Sequence, residues 1–219
     1  MNAEKENEKK LFGFSVFMAF LLCLPFTITF IFSDYFQWLK GIYPLSLEGL
    51  IGIFTAPLIH SDWTHFAGNI SALLILFIVI LNNFHPISWK IFLISYIVPG
   101  LWTWIFAREA WHVGASMIVY SLASFVFFAG VFSNHIKLVA LSLFVVFMYG
   151  GIFFGIFPIK PEISWEGHLS GFILGIILAL YYRNDVKKLY PKKIYFEDEE
   201  DSDNDENADD EPNLEDNVE

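Results

Sequence analysis

Apolar residues in this chain gather in long continuous runs. Six of them, at about 11–33, 66–81, 87–106, 114–132, 136–157 and 167–182, approach the ~20 residues that a helix needs to cross a bilayer. Hydrocarbon offers no partner for a bare backbone group, so each run reads as a helix that satisfies its own N–H and C=O groups. The first run is longer than the apolar core of a cleaved signal and lacks a small-residue cleavage site. Six crossings bring both termini to one side. The connection at 34–64 is long, and its apolar stretch at 49–59 is too short to span. It suits a segment lying in the interface or dipping into it.

Charge gives the expected direction. Lys5, Lys9, Lys10, Lys90, Lys137, Arg183, Lys187, Lys188, Lys192 and Lys193 fall on one side, against Lys40, Arg108 and Lys160 on the other. Excess Lys and Arg marks the cytoplasmic face, so both termini are expected in the cytoplasm, of a bacterial plasma membrane. The second, fourth and sixth runs then enter from outside. Composition agrees with a membrane protein: 55% of the 219 residues are hydrophobic and 17% charged, and the mean hydropathy is +0.51. The net charge of −11 comes from the end of the chain, where residues 197–219 hold 14 of the 24 acids and no base. The expected organisation is a cytoplasmic N-terminus (1–10), a membrane domain (11–185) and a cytoplasmic tail (186–219) that is acidic and disordered from 197, because so polar a segment buries too little apolar surface to offset its ordering. No basic patch suggests nucleic acid. The one cysteine, Cys23, excludes a disulfide framework and a thiolate metal site.

Polar side chains inside apolar runs are costly, and here they collect at one depth. His65 and Asn69 open the second run, Ser116 the fourth and His168 the sixth. His65 and Asn69 are four apart and share a helix face, as do Ser116 and Tyr120. His168, Gly171 and Gly175 line one face of the sixth run, and small residues there let a neighbouring helix approach closely. If that neighbour is the fourth run, His168 reaches Ser116. A neutral imidazole can take the proton of a serine hydroxyl and make it nucleophilic. Backbone N–H groups beside Gly114 and Ala115, the Asn69 amide and the His65 ring can donate to an oxyanion. No carboxylate lies in the outer halves of these runs, so a Ser–His dyad is expected rather than a triad, with Tyr120 packed on the His168 ring. No metal is expected: His60, His65 and His168 have no carboxylate or thiolate companion in the runs, and His-Glu-x-x-His is absent. A transporter or channel would need polar residues through the whole thickness. His85, His112 and His135 fall in connections and read as ordinary interfacial residues, His112 being a weaker substrate-side candidate.

The order His60-Ser61-Asp62-Trp63-Thr64-His65-Phe66-Ala67-Gly68-Asn69, then Gly114-Ala115-Ser116, then Gly167-His168-Leu169-Ser170-Gly171 resembles the rhomboid family of intramembrane serine proteases. The resemblance implies an all-α, six-transmembrane-helix bundle with a polar cavity open to the outside and a first outer connection partly in the membrane. It implies Ser116 as nucleophile and His168 as general base. It implies His65, Asn69 and the Ser116 backbone N–H as oxyanion donors, with Tyr120, Gly114, Gly171 and His60 in support. No cofactor is implied, and the partners would be the lipid bilayer and transmembrane protein substrates. One position departs from the pattern: Met117 stands where the family has Gly, which predicts a narrower space beside the serine. The alternative is a non-catalytic relative that binds membrane clients.

Overall fold

In a computed structural model, residues 2–133 and 135–191 are described, and among them the structure is helical throughout, with no strand. The helices are α1 (Asn2–Ile31), α2 (Leu47–Leu50), α3 (Gly52–Thr55), α4 (Trp63–Asn83), α5 (Ser88–Phe106), α6 (Ser116–Ser133), α7 (Ile136–Tyr149), α8 (Trp165–Tyr181) and α9 (Arg183–Leu189). Four are long and apolar enough to cross a membrane: α1 from Lys5, α4, α5 and α6. Helix α8 makes a fifth when taken with α9, to which it is bent by 61°.

The fifth apolar run departs from expectation. Helix α7 stops after 14 residues and gives way to a 3₁₀ turn, Gly150–Ile156. Fourteen α-helical residues reach only ~21 Å, less than the ~30 Å of hydrocarbon. The cause is local: Gly150 and Gly151 follow Tyr149, and glycine is a poor helix former because it gives up the most backbone freedom. The tail expected to be disordered from 197 lies outside the described residues.

Helix α6 is the centre of the bundle, with 72% of its spanning window buried. Its inward face carries Ile118, Leu122 and Phe125, all fully buried, and Phe125 meets Phe84 edge-on at 5.0 Å between centroids. By contrast, α1 and α7 present Phe17 and Phe147 outward, the latter 86% exposed. Apolar surface of that kind fits a lipid surround rather than water.

Close approach of α8 to α6 follows from the glycine row. A Cβ on Gly171 would fall on the Met117 carbonyl oxygen, and one on Gly175 would lie 2.5 Å from the Ser121 carbonyl oxygen. Only glycine at these positions lets the two backbones touch, the device by which apolar helices pack without a hydrophobic driving force. Ser124 Oγ closes the seam by donating to the Phe172 carbonyl at 2.8 Å.

The connection from α1 to α4 folds as two short helices and two 3₁₀ turns, with Leu45, Leu47, Ile51 and Phe54 exposed. It is tied down by polar bonds: Thr29 Oγ1 of α1 donates to the Leu58 carbonyl at 3.0 Å, and Gly114 N–H donates to the Ala56 carbonyl at 2.9 Å. Met117, next to Ser116, has its side chain between α5, α6 and Gly167 of α8. It is buried, packs with Ile42, Ala56 and Trp104, and its Sδ lies 3.5 Å from Thr103 Oγ1 of α5.

Gly171→Ala is expected to lower the thermal midpoint in detergent, because overpacking a fixed backbone contact costs about 1–3 kcal/mol. Gly68→Ala, in the interior of α4 where no atom lies within 4 Å of the added carbon, is expected to leave it unchanged or raise it, because alanine is the better helix former. Equal effects of the two substitutions would contradict the packing described.

Candidate active site

Three helix starts converge. Ser116 is the first residue of α6, His168 the fourth of α8 and His65 the third of α4. Helix α4 is started by Asp62, whose carboxylate accepts the His65 N–H at 2.9 Å as an N-cap. That bond holds the Asp62 carboxyl below its usual range. The consequence is a set of half-buried side chains, Ser116, His168 and His65, in the first turns of three helices.

His168 Nε2 lies 2.8 Å from Ser116 Oγ, and its Nδ1 lies 3.0 Å from the Gly155 carbonyl oxygen. A carbonyl can only accept, so Nδ1 carries the ring proton and Nε2 presents a lone pair to the serine hydroxyl. The Tyr120 ring stacks on the imidazole, 4.3 Å between centroids and 13° from parallel. Gly155 itself leaves no room for a side chain, since a Cβ there would meet the Tyr120 hydroxyl and lie 3.0 Å from His168 Nδ1. Ring orientation is thus over-determined, by a carbonyl on one edge and an aromatic face beneath.

A donor set lies on the other side of the serine. Gly114 has φ +108°, a conformation that glycine adopts without strain. A Cβ on it would lie 2.5 Å from His65 Nε2 and 3.4 Å from Asn69 Nδ2. Asn69 is buried, and its Nδ2 has no acceptor among the described residues. As the first helical residue, Ser116 has a backbone N–H without a partner inside α6. His65 Nδ1 is 3.2 Å from Ser61 Oγ, which is also 2.8 Å from Asp62 Oδ2. Ser61 donates its one hydroxyl proton to the Asp62 carboxylate, so His65 Nδ1 donates to Ser61 Oγ; His65 becomes a donor at Nε2 when the hydroxyl proton turns to Nδ1 or the ring takes up a second proton. His60 packs edge-on against His65 at 5.1 Å, and burial followed by the His65 charge holds its imidazole down at about 4.

Together these groups place a serine hydroxyl within hydrogen-bond distance of an imidazole nitrogen, beside a buried amide nitrogen that lacks an acceptor among the described residues, an arrangement capable of acyl-transfer chemistry. The structure brings together Ser116, His168, Tyr120 and Gly171 on one side and His65, Asn69, Gly114 and His60 on the other. The Rhomboid domain family model matches residues 47–185. The chain belongs to the rhomboid family. Uncharacterized proteins of Mycobacterium bovis and Mycobacterium tuberculosis are 34% identical over 150 residues, covering 64% of this chain and 62% of theirs. One from Mycobacterium leprae is 30% identical over 150 residues, covering 64% and 59%. The chain thus spans about 62% of the length of the first of these relatives.

Two features of this rhomboid escape a reading of residue types. One is the Gly155 carbonyl, since a backbone acceptor leaves no trace in side-chain chemistry. The other is His112. Far from being an interfacial residue, it is 1% exposed, and burial lowers its imidazole from the ordinary value. A buried carboxylate is also present: α8 begins two residues before the apolar run, which places Glu166 in its first turn, paired with Arg108 at 3.2 Å rather than with His168. Its position four residues from Ser170 and directly before Gly167-His168 was the available signal.

In ¹⁵N spectra of the protein in detergent at neutral pH, His168 is expected to show a protonated Nδ1 and a bare Nε2. The opposite tautomer would contradict the bond to Gly155.

Proposed function

We propose that this rhomboid is an intramembrane serine endopeptidase that cuts transmembrane or membrane-adjacent segments of other proteins with a Ser116–His168 dyad. The observation that carries this reading is the 2.8 Å contact between Ser116 Oγ and His168 Nε2, with Nδ1 bonded to the Gly155 carbonyl.

In this reading Ser116 Oγ attacks the scissile carbonyl carbon as its proton passes to His168 Nε2. The resulting imidazolium keeps its Nδ1–H on the Gly155 carbonyl, so the ring does not turn. Negative charge on the former carbonyl oxygen is met by the Asn69 amide, the Ser116 N–H and, in its Nε2–H tautomer, His65. His168 then gives its proton to the leaving amine, and the C–N bond breaks to leave an acyl-serine. Water, with His168 again accepting a proton, attacks that ester; His168 returns the proton to Ser116 Oγ as the C–Oγ bond breaks, releasing the new carboxyl terminus. A carboxylate partner for the imidazole is unnecessary where a carbonyl and an aromatic face already hold it.

A substrate helix must unwind locally, because a helical carbonyl is already hydrogen-bonded and shielded. Lysine and arginine distribution supports an outer-leaflet site with both termini in the cytoplasm, and residues 11–185 would form the membrane domain. The client-binding alternative has no observation of its own. Met117, the residue that leans towards it, has its side chain in the packing between α6, α5 and α8.

Ser116→Ala and His168→Ala are each expected to abolish cleavage of a reporter transmembrane substrate in proteoliposomes while the protein stays folded. Wild-type cleavage by Ser116→Ala would overturn the mechanism. Asn69→Ala is expected to reduce kcat by roughly 10²–10³, as for loss of one oxyanion donor; an unchanged kcat would remove Asn69 from that role.

A further inference from the structure

A second serine–histidine pair stands just ahead of α6 and α8, four residues before the first in each stretch of chain. His112 Nδ1 lies 2.6 Å from Ser164 Oγ, and both this pair and the Ser116–His168 pair join residues 52 apart in sequence. His112 precedes Ser116 by four residues, and Ser164 precedes His168 by four. The residue types are exchanged: the histidine is now on the serine's side of the chain.

Every polar atom of His112 is committed. Its Nε2 is 3.1 Å from the Arg108 carbonyl, which can only accept, so Nε2 donates and Nδ1 is left to accept the Ser164 hydroxyl proton. Its backbone bonds the α1–α4 connection in both directions, His112 N–H to the Ile42 carbonyl at 2.8 Å and Ile42 N–H to the His112 carbonyl at 2.9 Å. Two residues on comes Gly114, beside the donor set.

Ser164 occupies the position just before α8, where a serine hydroxyl ordinarily caps the helix. Here it makes no cap bond; its hydroxyl is turned to His112. Its carbonyl accepts the His168 N–H at 3.1 Å. One side-chain bond and one backbone bond therefore connect the His112 ring to the backbone of His168. An ion pair between the exposed Arg108 and the buried Glu166 braces the same junction. Glu166 takes the Arg108 guanidinium at 3.2 and 3.3 Å, while Arg108 Nη2 donates to the carbonyls of Pro161 and Ile163 at 2.6 and 3.0 Å.

We propose that His112 is a positioning residue: through Ser164 it holds the start of α8, and with it His168, at proton-transfer distance from Ser116. The inference rests on the protease reading. Without this link, α6 and α8 still touch through the glycine row and the His168 ring keeps the Gly155 carbonyl and the Tyr120 face, but the backbone of the first turn of α8 loses one of its ties, leaving the Arg108–Glu166 brace at its open end. Proton transfer requires heavy-atom separations of roughly 2.6–3.2 Å, and a displacement of about 1 Å is worth on the order of 10² in rate.

The test is the rate at which a fluorophosphonate reacts with Ser116 in the full chain in detergent, read with the thermal midpoint of each variant. His112→Ala is expected to react at least tenfold more slowly than wild type. His112→Asn, whose carboxamide oxygen can accept from Ser164 about where Nδ1 does, is expected to stay within about threefold of wild type. Ser164→Ala is expected to match His112→Ala, and the double variant to be no slower than either single one, because both act through one bond. A merely structural role would make the rate follow the thermal midpoint, with no rescue by asparagine. Wild-type reactivity in His112→Ala, or equal slowing by alanine and asparagine, overturns the proposal. Should His112→Ala not fold, wild-type reactivity in Ser164→Ala overturns it equally. A wild-type protein that takes no label at Ser116 fails the protease reading itself, whereas a labelled wild type with an equally reactive His112→Ala fails the positioning role alone.

Discussion

The molecule turns on a helix contact that admits no side chain. Gly171 of α8 sits against the Met117 carbonyl of α6, and Gly175 sits against that of Ser121. Two helices pressed together at backbone distance bring their first turns into register, and the polar residues in those turns then meet. Ser116 and His168 are neighbours because the residues below them on the same face are too small to hold the helices apart. Tyr120 belongs to the same seam, which is why its ring lies flat beneath the imidazole. A larger residue at Gly171 would act on the dyad as surely as a change in the dyad itself.

Polar groups in an apolar body are costly when unpaired, and the distribution of that cost is informative. Buried hydroxyls here find partners within a helix, as Thr103 does at the Pro99 carbonyl (2.8 Å), or across a helix contact, as Ser95 of α5 and Ser121 of α6 do with each other at 2.7 Å. Asn69 Nδ2, like both His60 ring nitrogens and the Tyr149 hydroxyl, is buried without a partner among the described residues, and of these Asn69 lies by Gly114. Donors left unsatisfied in advance are what electrostatic preorganisation requires, since they need no rearrangement when charge develops. The His168 imidazole is the opposite case, with both nitrogens committed, one to a carbonyl and one to the serine.

Much of this architecture is legible in residue order. Apolar runs mark the helices, and the glycine row on the sixth marks the seam. The 49–59 stretch is too short to cross, and it folds as short helical turns. Where the reading stops, the reasons are physical. Gly150 and Gly151 sit inside an apolar run and end α7 early, an effect of backbone entropy that hydropathy does not register. Met117 shows its volume in the sequence but not the direction of its side chain, which turns into the α5–α6–α8 packing. His112 lies in a polar connection that suggests exposure, but its burial depends on contacts with Ile42 and Ser164, far away in sequence. The Gly155 carbonyl is invisible for a simpler reason: every residue has one, and only the fold decides which one faces a histidine.

The most direct measurement is to map the covalent adduct of a fluorophosphonate on the intact protein by mass spectrometry. A single phosphonylated residue at Ser116, absent from His168→Ala, is the predicted result. No adduct, or an adduct on another serine such as Ser164, would contradict a hydroxyl at Ser116 activated by the imidazole beside it.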